Sequence, residues 1–320
     1  MPGPGGIVHW DDVESGRAEL AHLAATWRDL GHAAGSVGVG VQRIEIDAGK
    51  WSTPLHRQTG EEEIFYVLEG SGISLQEDDA YEVRAGDCLV HLAGRKTHTL
   101  RAGADGLDVL AFGTRNRTEI GYLPRVGVAW LGHTWVDVGQ GPHPWEREVE
   151  AGEPEVGEPA ERPPSIVNVE DAPSEHEGRG RYLAEGAGSE LTGLNWAALE
   201  AGEEGAPPHC HSAEEEIFVV LEGGGTLQLW PTPQAGRLYG AEVTQEEHPV
   251  RRGSVISRPA GTRIAHSLRA GPEGLTYLAY GTREPNDIAY YPRSNKIFLR
   301  GVGLIARLES LDYDDGEAAG

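Results

Sequence analysis

The apolar positions along this chain fall into short runs that end at glycine. "VGVGVQRIEI" (residues 37–46) alternates with period two, as does "YEVRAGDCLVHL" (81–92). Such alternation predicts strands with one face toward a core. "EEIFYVLEG" (62–70) and "EEIFVVLEG" (215–223) are short apolar, β-branched and aromatic runs stopped by glycine; they read as strands. Turn glycines recur every 8 to 12 residues or so, which predicts an all-β sandwich or barrel. One segment has helical spacing, "DVESGRAELAHLAATWRDLG" (12–31), with Ala and Leu leading up to Gly31. The tail "SLDYDDGEAAG" (310–320) is expected to fray.

The strand pattern occurs twice. The stretch from Ala34 aligns without a gap on the stretch from Ala187, which sets His56 on His209, Glu63 on Glu216 and Gly70 on Gly223. The second copy then gains a Pro/Gly/Glu-rich insertion within "WPTPQAGRLYGAEVTQEEHPV". After it, His98 matches His266 and "LRAGADGLDVLAFGTRNRTEIGYLPR" matches "LRAGPEGLTYLAYGTREPNDIAYYPR". Two copies of one domain follow, at residues 1–145 and 166–320. The Glu-, Pro- and Gly-rich stretch 146–165 between them is expected to be a solvated linker.

Composition narrows the partners. The formal charge is −24, and Lys50, Lys96 and Lys296 are the only lysines. A surface this acidic argues against nucleic acid or an anionic membrane as partner. The two cysteines, Cys88 and Cys210, make no disulfide framework. The first residues, "MPGPGGIVHWDDVESG", lack a basic region followed by an apolar one, and no apolar run approaches the roughly 18 residues of a membrane helix. A cytoplasmic protein is expected.

The chemistry concentrates in "PPHCHSAEEEIFVVLEGGGTL" (207–227). Residues i and i+2 of a strand share a face, so His209 and His211 project together and Cys210 points away. Glu216 opens the next strand, and His266 follows "GSVISRPAGTRIAH", a glycine-bounded strand and a Pro-Ala-Gly turn. Three imidazoles and a carboxylate suit a divalent transition metal (Fe, Mn, Co, Ni, Cu or Zn) and leave coordination positions for exogenous ligands.

"HCHSAEEEIFVVLEG" followed by "GSVISRPAGTRIAH" resembles the two signature motifs of the cupin superfamily. In that family a first motif supplies two His and a Glu, with a Gly seven residues after the Glu, and a second motif supplies the last His. By that register the ligand is Glu216, seven before Gly223, rather than Glu214 or Glu215. The resemblance covers both repeats and implies a bicupin: two tandem double-stranded β-helix (jelly-roll) barrels. "YLAYGTREPNDIAYYPRSNKI" is similar to a group of bacterial small cupins that mostly lack an assigned reaction.

The first copy departs from the pattern. Gln58 stands where the second histidine belongs, Leu92 replaces proline, and one residue is missing before His98. Its set is therefore His56, Gln58, Glu63 and His98. Similar Gln-containing sets occur in cupin-type sugar-phosphate isomerases, so a metal there stays open.

The resemblance implies a metal-dependent enzyme of dioxygenase or decarboxylase type acting on a small polar organic substrate, with its main site in the C-terminal barrel. It implies no organic cofactor and assigns no catalytic residue. Two alternatives remain: a non-catalytic binding or sensor module for a sugar-like ligand, and a sugar or sugar-phosphate isomerase. Association into a homo-oligomer is left open.

Other conspicuous residues receive plain structural readings. Glu61, Glu62, Glu214 and Glu215 read as solvated rim charge, and Cys88 and Cys210 as packed residues. His91 and His248 read as surface or loop positions, and Arg115 and Arg283 as structural ion-pair partners. Arg258 and Arg263 are the cations near the second motif. Tyr290, Tyr291 and Pro292 are expected to pack a barrel end or an interface, and Trp51 and Trp196 the core.

Overall fold

The computed structural model describes residues 6–116, 118–131, 134–136, 141–239, 244–309, 311 and 315–316. Each half forms an antiparallel sheet that curls into a barrel, and each carries a smaller four-stranded sheet over one end. In the first half the large sheet runs Ile166–Asn168, Asp87–His91, Glu63–Gln76, His98–Thr114, Val39–Ile46, Leu23–Asp29, Ser15–Leu20, with Asp79–Arg84 also paired to Glu63–Gln76. The second half repeats this as Ile7–His9, Ser254–Arg258, Glu216–Pro231, Ile264–Thr282, Thr192–Leu199, Gly180–Tyr182, Ser174–Glu175, with Glu246–Arg251 on Glu216–Pro231.

The alternation along the central strands shows why their sequences are apolar throughout. Phe65 and Val67 fill the first barrel, while Ile64 and Tyr66 face the other way, into a core shared by both barrels. Phe218 and Val220 fill the second barrel, and Ile217 and Val219 join the shared core with Phe112, Leu278 and Tyr280. A strand buried on both faces has no polar face to show. These long strands bend where the ladder slips, around Gly70 and Gly223. Both glycines have positive φ, and a Cβ on either would lie 2.3 Å from a carbonyl oxygen, that of Gly106 or Gly274. No other residue fits these two bends.

Three expectations need correction. Residues 12–31 are not a helix but a hairpin of Ser15–Leu20 and Leu23–Asp29, turning at Ala21 with φ of 49°. Leu23–Asp29 pairs with Val39–Ile46 and buries Leu23 and Ala25, so tertiary pairing overrides a modest helical preference. Helix forms only at Leu30–Ala34, capped by the Asp29 carboxylate and ended by Gly35 in the left-handed region.

The stretch 146–165 is exposed or half-buried apart from Glu148, but it is anchored rather than loose. It continues from the helix Pro144–Glu150, whose Trp145 packs toward Leu23 and Trp51, and whose Glu148 is buried against Arg125 at 2.5 Å. The Trp51 indole N–H donates to Glu153 (3.0 Å), and Arg162 pairs with the buried Asp87. The segment is a strap tied across the first barrel. The barrels also exchange edge strands: Ile7–His9 pairs with the second sheet and Ile166–Asn168 with the first.

The expected rim glutamates are the third correction. Glu62 is fully buried and accepts hydrogen bonds from Ser189 Oγ (2.5 Å), Thr192 Oγ1 (2.6 Å) and the Glu190 N–H (2.8 Å) of the other barrel. Its counterpart Glu215 accepts from the Val37 and Gly38 N–H groups of the first barrel at 2.8 and 2.5 Å. Strand alternation explains this: Glu63 and Glu216 point into the barrels, so the residue before each points into the seam. The fraying expected of the tail falls largely outside the described residues.

Candidate metal centre

In the second barrel His209 and His266 form a backbone bridge, each N–H donating to the other's carbonyl at 3.2 and 2.9 Å. His211 lies on Cys210–His211, and Glu216 opens the long central strand. The Nε2 atoms of His209, His211 and His266 lie 3.7, 3.3 and 2.9 Å from one oxygen, Oε2 of Glu216. The four residues named from the sequence thus converge.

The far sides of two rings are held. Nδ1 of His209 lies 2.8 Å from the Pro207 carbonyl and that of His211 2.7 Å from Asp287. An N–H donated at each Nδ1 leaves the Nε2 lone pair aimed inward, as a metal requires. Asp287 is itself fixed by the Ala213 and Glu214 N–H groups at 2.9 and 3.2 Å.

The inward atoms His211 Nε2, His266 Nε2 and Glu216 Oε2 are buried without a hydrogen-bond partner among the described residues. Buried polar atoms are rarely left so, and a cation among them would satisfy all three. Burial disfavours the Glu216 carboxylate, but His211 and His266 outweigh it and hold its pKa well below the usual range. Burial takes His266 down to about 3, leaving a neutral imidazole able to ligate. Burial would lower His211 too, yet the Asp287 hydrogen bond and the nearby Glu216 carboxylate push it up to about 10, so a metal bound there would displace a proton.

The first barrel repeats the frame with one gap. His56 and His98 form the same backbone bridge, and their Nε2 atoms lie 3.4 and 3.0 Å from Glu63 Oε2. Burial opposes the Glu63 charge, but His56 and His98 hold its pKa far below normal. The Pro54 carbonyl orients His56 at 3.0 Å. Gln58 takes the place of His211, and its buried Oε1 has no hydrogen-bond partner among the described residues. Glu119, the counterpart of Asp287, still accepts from the Thr59 and Gly60 N–H groups at 2.6 and 2.7 Å.

A further position distinguishes the barrels. Arg258 pairs directly with Glu216 in the ladder, and His91 directly with Glu63, so both point inward beside the site. His91 is therefore no surface residue: it is 5% exposed and its ring stacks on His98 at 3.9 Å. The alternation in "GDCLVHL", which puts His91 on the same face as Leu89, carried that signal. Arg258 is 7% exposed and donates to the Ile264 carbonyl at 3.1 Å.

The remaining candidates have structural places. Burial pushes Cys210 up to about 11 and raises Cys88 further, so neither is a thiolate at neutral pH. Arg115 and Arg283 hold the carbonyls of Ser36 and Ser189 at the seam, and Arg115 also pairs with Asp29 at 3.2 Å. Glu214 is buried against Arg300 and the Glu284 N–H, and Glu61, raised to about 7 by burial, accepts from the Asn116 N–H. His248 sits beside Glu246 on the outer hairpin. Trp51 is buried, Trp196 packs against the shared core, and the Tyr291 ring stacks over His209 at 5.5 Å.

Residues 42–111 match the Cupin domain family. Auxin-binding protein 1 of Arabidopsis thaliana is 35% identical over 134 residues, which span 40% of this chain and 64% of that protein. The oxalate decarboxylase of Lactobacillus farciminis, in a formate complex, superposes with a TM-score of 0.58 over 88% of this chain and 87% of its own, at 14% identity. That of Bacillus subtilis at pH 4.6 gives 0.57 over 86% and 75%, at 16% identity. At such identities the structural likeness establishes the fold alone. No helix among the described residues is long and apolar enough to cross a membrane.

Proposed function

We propose that this chain is a two-barrel member of the cupin superfamily and a metal-dependent enzyme of decarboxylase or dioxygenase type, with its main site in the C-terminal barrel. The observation that carries the reading is the convergence of His209, His211 and His266 on one Glu216 oxygen, with three of these inward atoms otherwise unsatisfied. Those four residues would hold a divalent transition metal such as Mn, Fe, Ni, Cu or Zn. Such an ion supplies Lewis acidity and, where redox-active, one-electron chemistry.

The chain's own residues shape the surroundings of the site. Arg258 places a buried guanidinium beside the site, where it donates to the Ile264 carbonyl at 3.1 Å and adds positive charge. A small polar organic acid is the substrate class we propose, on the likeness to structural relatives named for oxalate. Asp287 keeps the His211 Nδ1 proton in place, and Tyr291 covers the outer face of His209.

Metal content and turnover test the reading together. Protein purified without a metal-affinity tag is expected to carry about one metal per chain, lost in His211→Ala but kept in Gln58→Ala. The loaded protein should release CO₂ from, or consume O₂ with, a member of a panel of small mono- and dicarboxylates that includes oxalate. Absence of metal after reloading overturns the metal site. Full loading with no turnover across the panel overturns the enzyme.

A further inference from the structure

The first barrel's small sheet is a ladder of four paired strands, Arg57–Gln58, Ile120–Leu123, Val128–Leu131 and Thr134–Val136. Gln58 pairs with Gly121, Gly121 with Trp130, and Trp130 with Trp135, so these residues share one face. The indoles of Trp130 and Trp135 meet edge to face, 4.9 Å apart. Trp145, from the strap helix and braced on Trp27 at 6.0 Å, makes a third wall, and Leu123 contributes to the lining. Together they line an open cavity of about 250 Å³ that also reaches His56 and Gln58.

Gly121 keeps this space open. Its φ is not positive, so the backbone would accept a side chain. An added Cβ would lie 3.2 Å from Gln58 Oε1 and 3.5 Å from the Trp130 Cβ. In the second barrel the same ladder reads His211, Ala289, Phe298, Ile305, with a methyl at the glycine rung and no indole. Tyr291, which lies against His209, takes the place of Leu123. The indole-lined cavity thus belongs to the first barrel.

Three indoles around an opening, with an amide and an imidazole gathered at one part of the lining, have the make-up of a small-molecule site. A cavity of about 150 Å³ takes benzene, so this one takes one or two fused rings with a small substituent. Indole faces favour a flat π-system over a saturated ring. The unsatisfied Gln58 Oε1 and the acidic chain favour a neutral molecule bearing a hydrogen-bond donor. We infer that the first barrel binds a small, flat, neutral aromatic molecule, ring among Trp130, Trp135 and Trp145 and polar end toward Gln58 and His56. This stands apart from turnover in the second barrel and can fail without it.

Calorimetric titration of the full chain with phenol, indole and cyclohexanol tests it. Indole should bind with a Kd at or below about 1 mM, within the reach of a ligand this small. Phenol should bind at least about tenfold tighter than cyclohexanol, its saturated counterpart. Trp135→Ala and Gly121→Ala should each weaken indole about tenfold or more, and Phe298→Ala should leave it unchanged, with circular dichroism showing all three folded. Equal binding of phenol and cyclohexanol overturns the inference. So does the lack of saturable indole binding, or a loss caused by Phe298→Ala and by neither first-barrel variant. Should Trp135→Ala not fold, Gly121→Ala, which removes nothing, still decides.

Discussion

The two barrels share their scaffold almost rung for rung and part at a few inward positions. Both have the His–His backbone bridge, the carboxylate at the head of the central strand, and the acidic residue that ties down the first motif's turn. At the second-histidine rung Gln58 faces His211, beside the carboxylate His91 faces Arg258, and above them Gly121, Trp130 and Trp135 face Ala289, Phe298 and Ile305. Function on one fold is set by such grafted side chains rather than by the barrel. The second barrel has the fuller ligand set and a buried cation; the first has an indole-lined cavity above a set with a neutral amide.

The largest expected effect breaks the second barrel. His211→Ala removes a proposed ligand and leaves Asp287 and Glu216 without the imidazole between them. Metal affinity there should fall by more than the roughly 10–100-fold typical of outer-sphere changes. Elemental analysis after dialysis against a weak chelator checks this. Metal retained at the wild-type level would mean that the second barrel is not the principal centre.

Asp287→Asn comes next. The amide can still face His211, but it no longer supplies the charge that holds the Nδ1 proton, and it accepts less well from the Ala213 and Glu214 N–H groups. A loss of about 10–100-fold in metal affinity is expected. Glu119→Gln in the first barrel should leave total metal unchanged, since Gln58 offers no ring to orient. Equal losses in the two variants would show that both barrels carry the metal.

How much of this could be read from the sequence follows from what kind of pattern each residue belongs to. The repeat, the strands and the eight candidate site residues sit on periodicities of two and on fixed spacings, and the barrels bring each set together. Arg258 and His91 were on the page, but their inward aim depends on which residue faces Glu216 or Glu63 across the ladder. The tryptophan cavity was out of reach for the same reason, because nothing in the sequence shows that Trp145 lies against the face that carries Trp130 and Trp135. Residues 12–31 misled because their Ala and Leu spacing suits a helix, while the sheet edge that claims them lies elsewhere in the chain. Glu62 and Glu215 looked like solvent charge because nothing local announces a seam on the far face of the strand.

That seam supplies the third prediction. Glu62 is fully buried and receives hydroxyl and amide donors from the opposite barrel. Glu62→Gln replaces charge-assisted acceptors with a neutral amide whose NH₂ must face donors, at a cost of about 2 kcal/mol. Glu215→Gln should cost less, because that carboxylate accepts from fewer donors, two backbone N–H groups and the more distant Ser257 hydroxyl. Urea unfolding midpoints give the order. A larger loss for Glu215→Gln would mean that the two contacts do not carry the seam as their donors suggest.

The smallest effect is the most instructive, because it tries to erase the difference between the barrels. Gln58→His installs the missing ring where Glu119 already stands in the place of Asp287, where Pro54 already orients His56, and where His98 already meets Glu63. If the amide is what weakens the first centre, its affinity should rise about tenfold, equivalent to about 1.4 kcal/mol, and metal content should move from about one toward two per chain. The same substitution exchanges the Gln58 Oε1 beside Gly121 for an imidazole, so indole binding should weaken as metal binding strengthens. Opposite movement of the two readouts would mean that one rung decides which barrel holds metal and which holds a ring. Metal content that stays at one would place the difference at His91, whose stacking on His98 sets the environment of the ligand that Gln58→His cannot change.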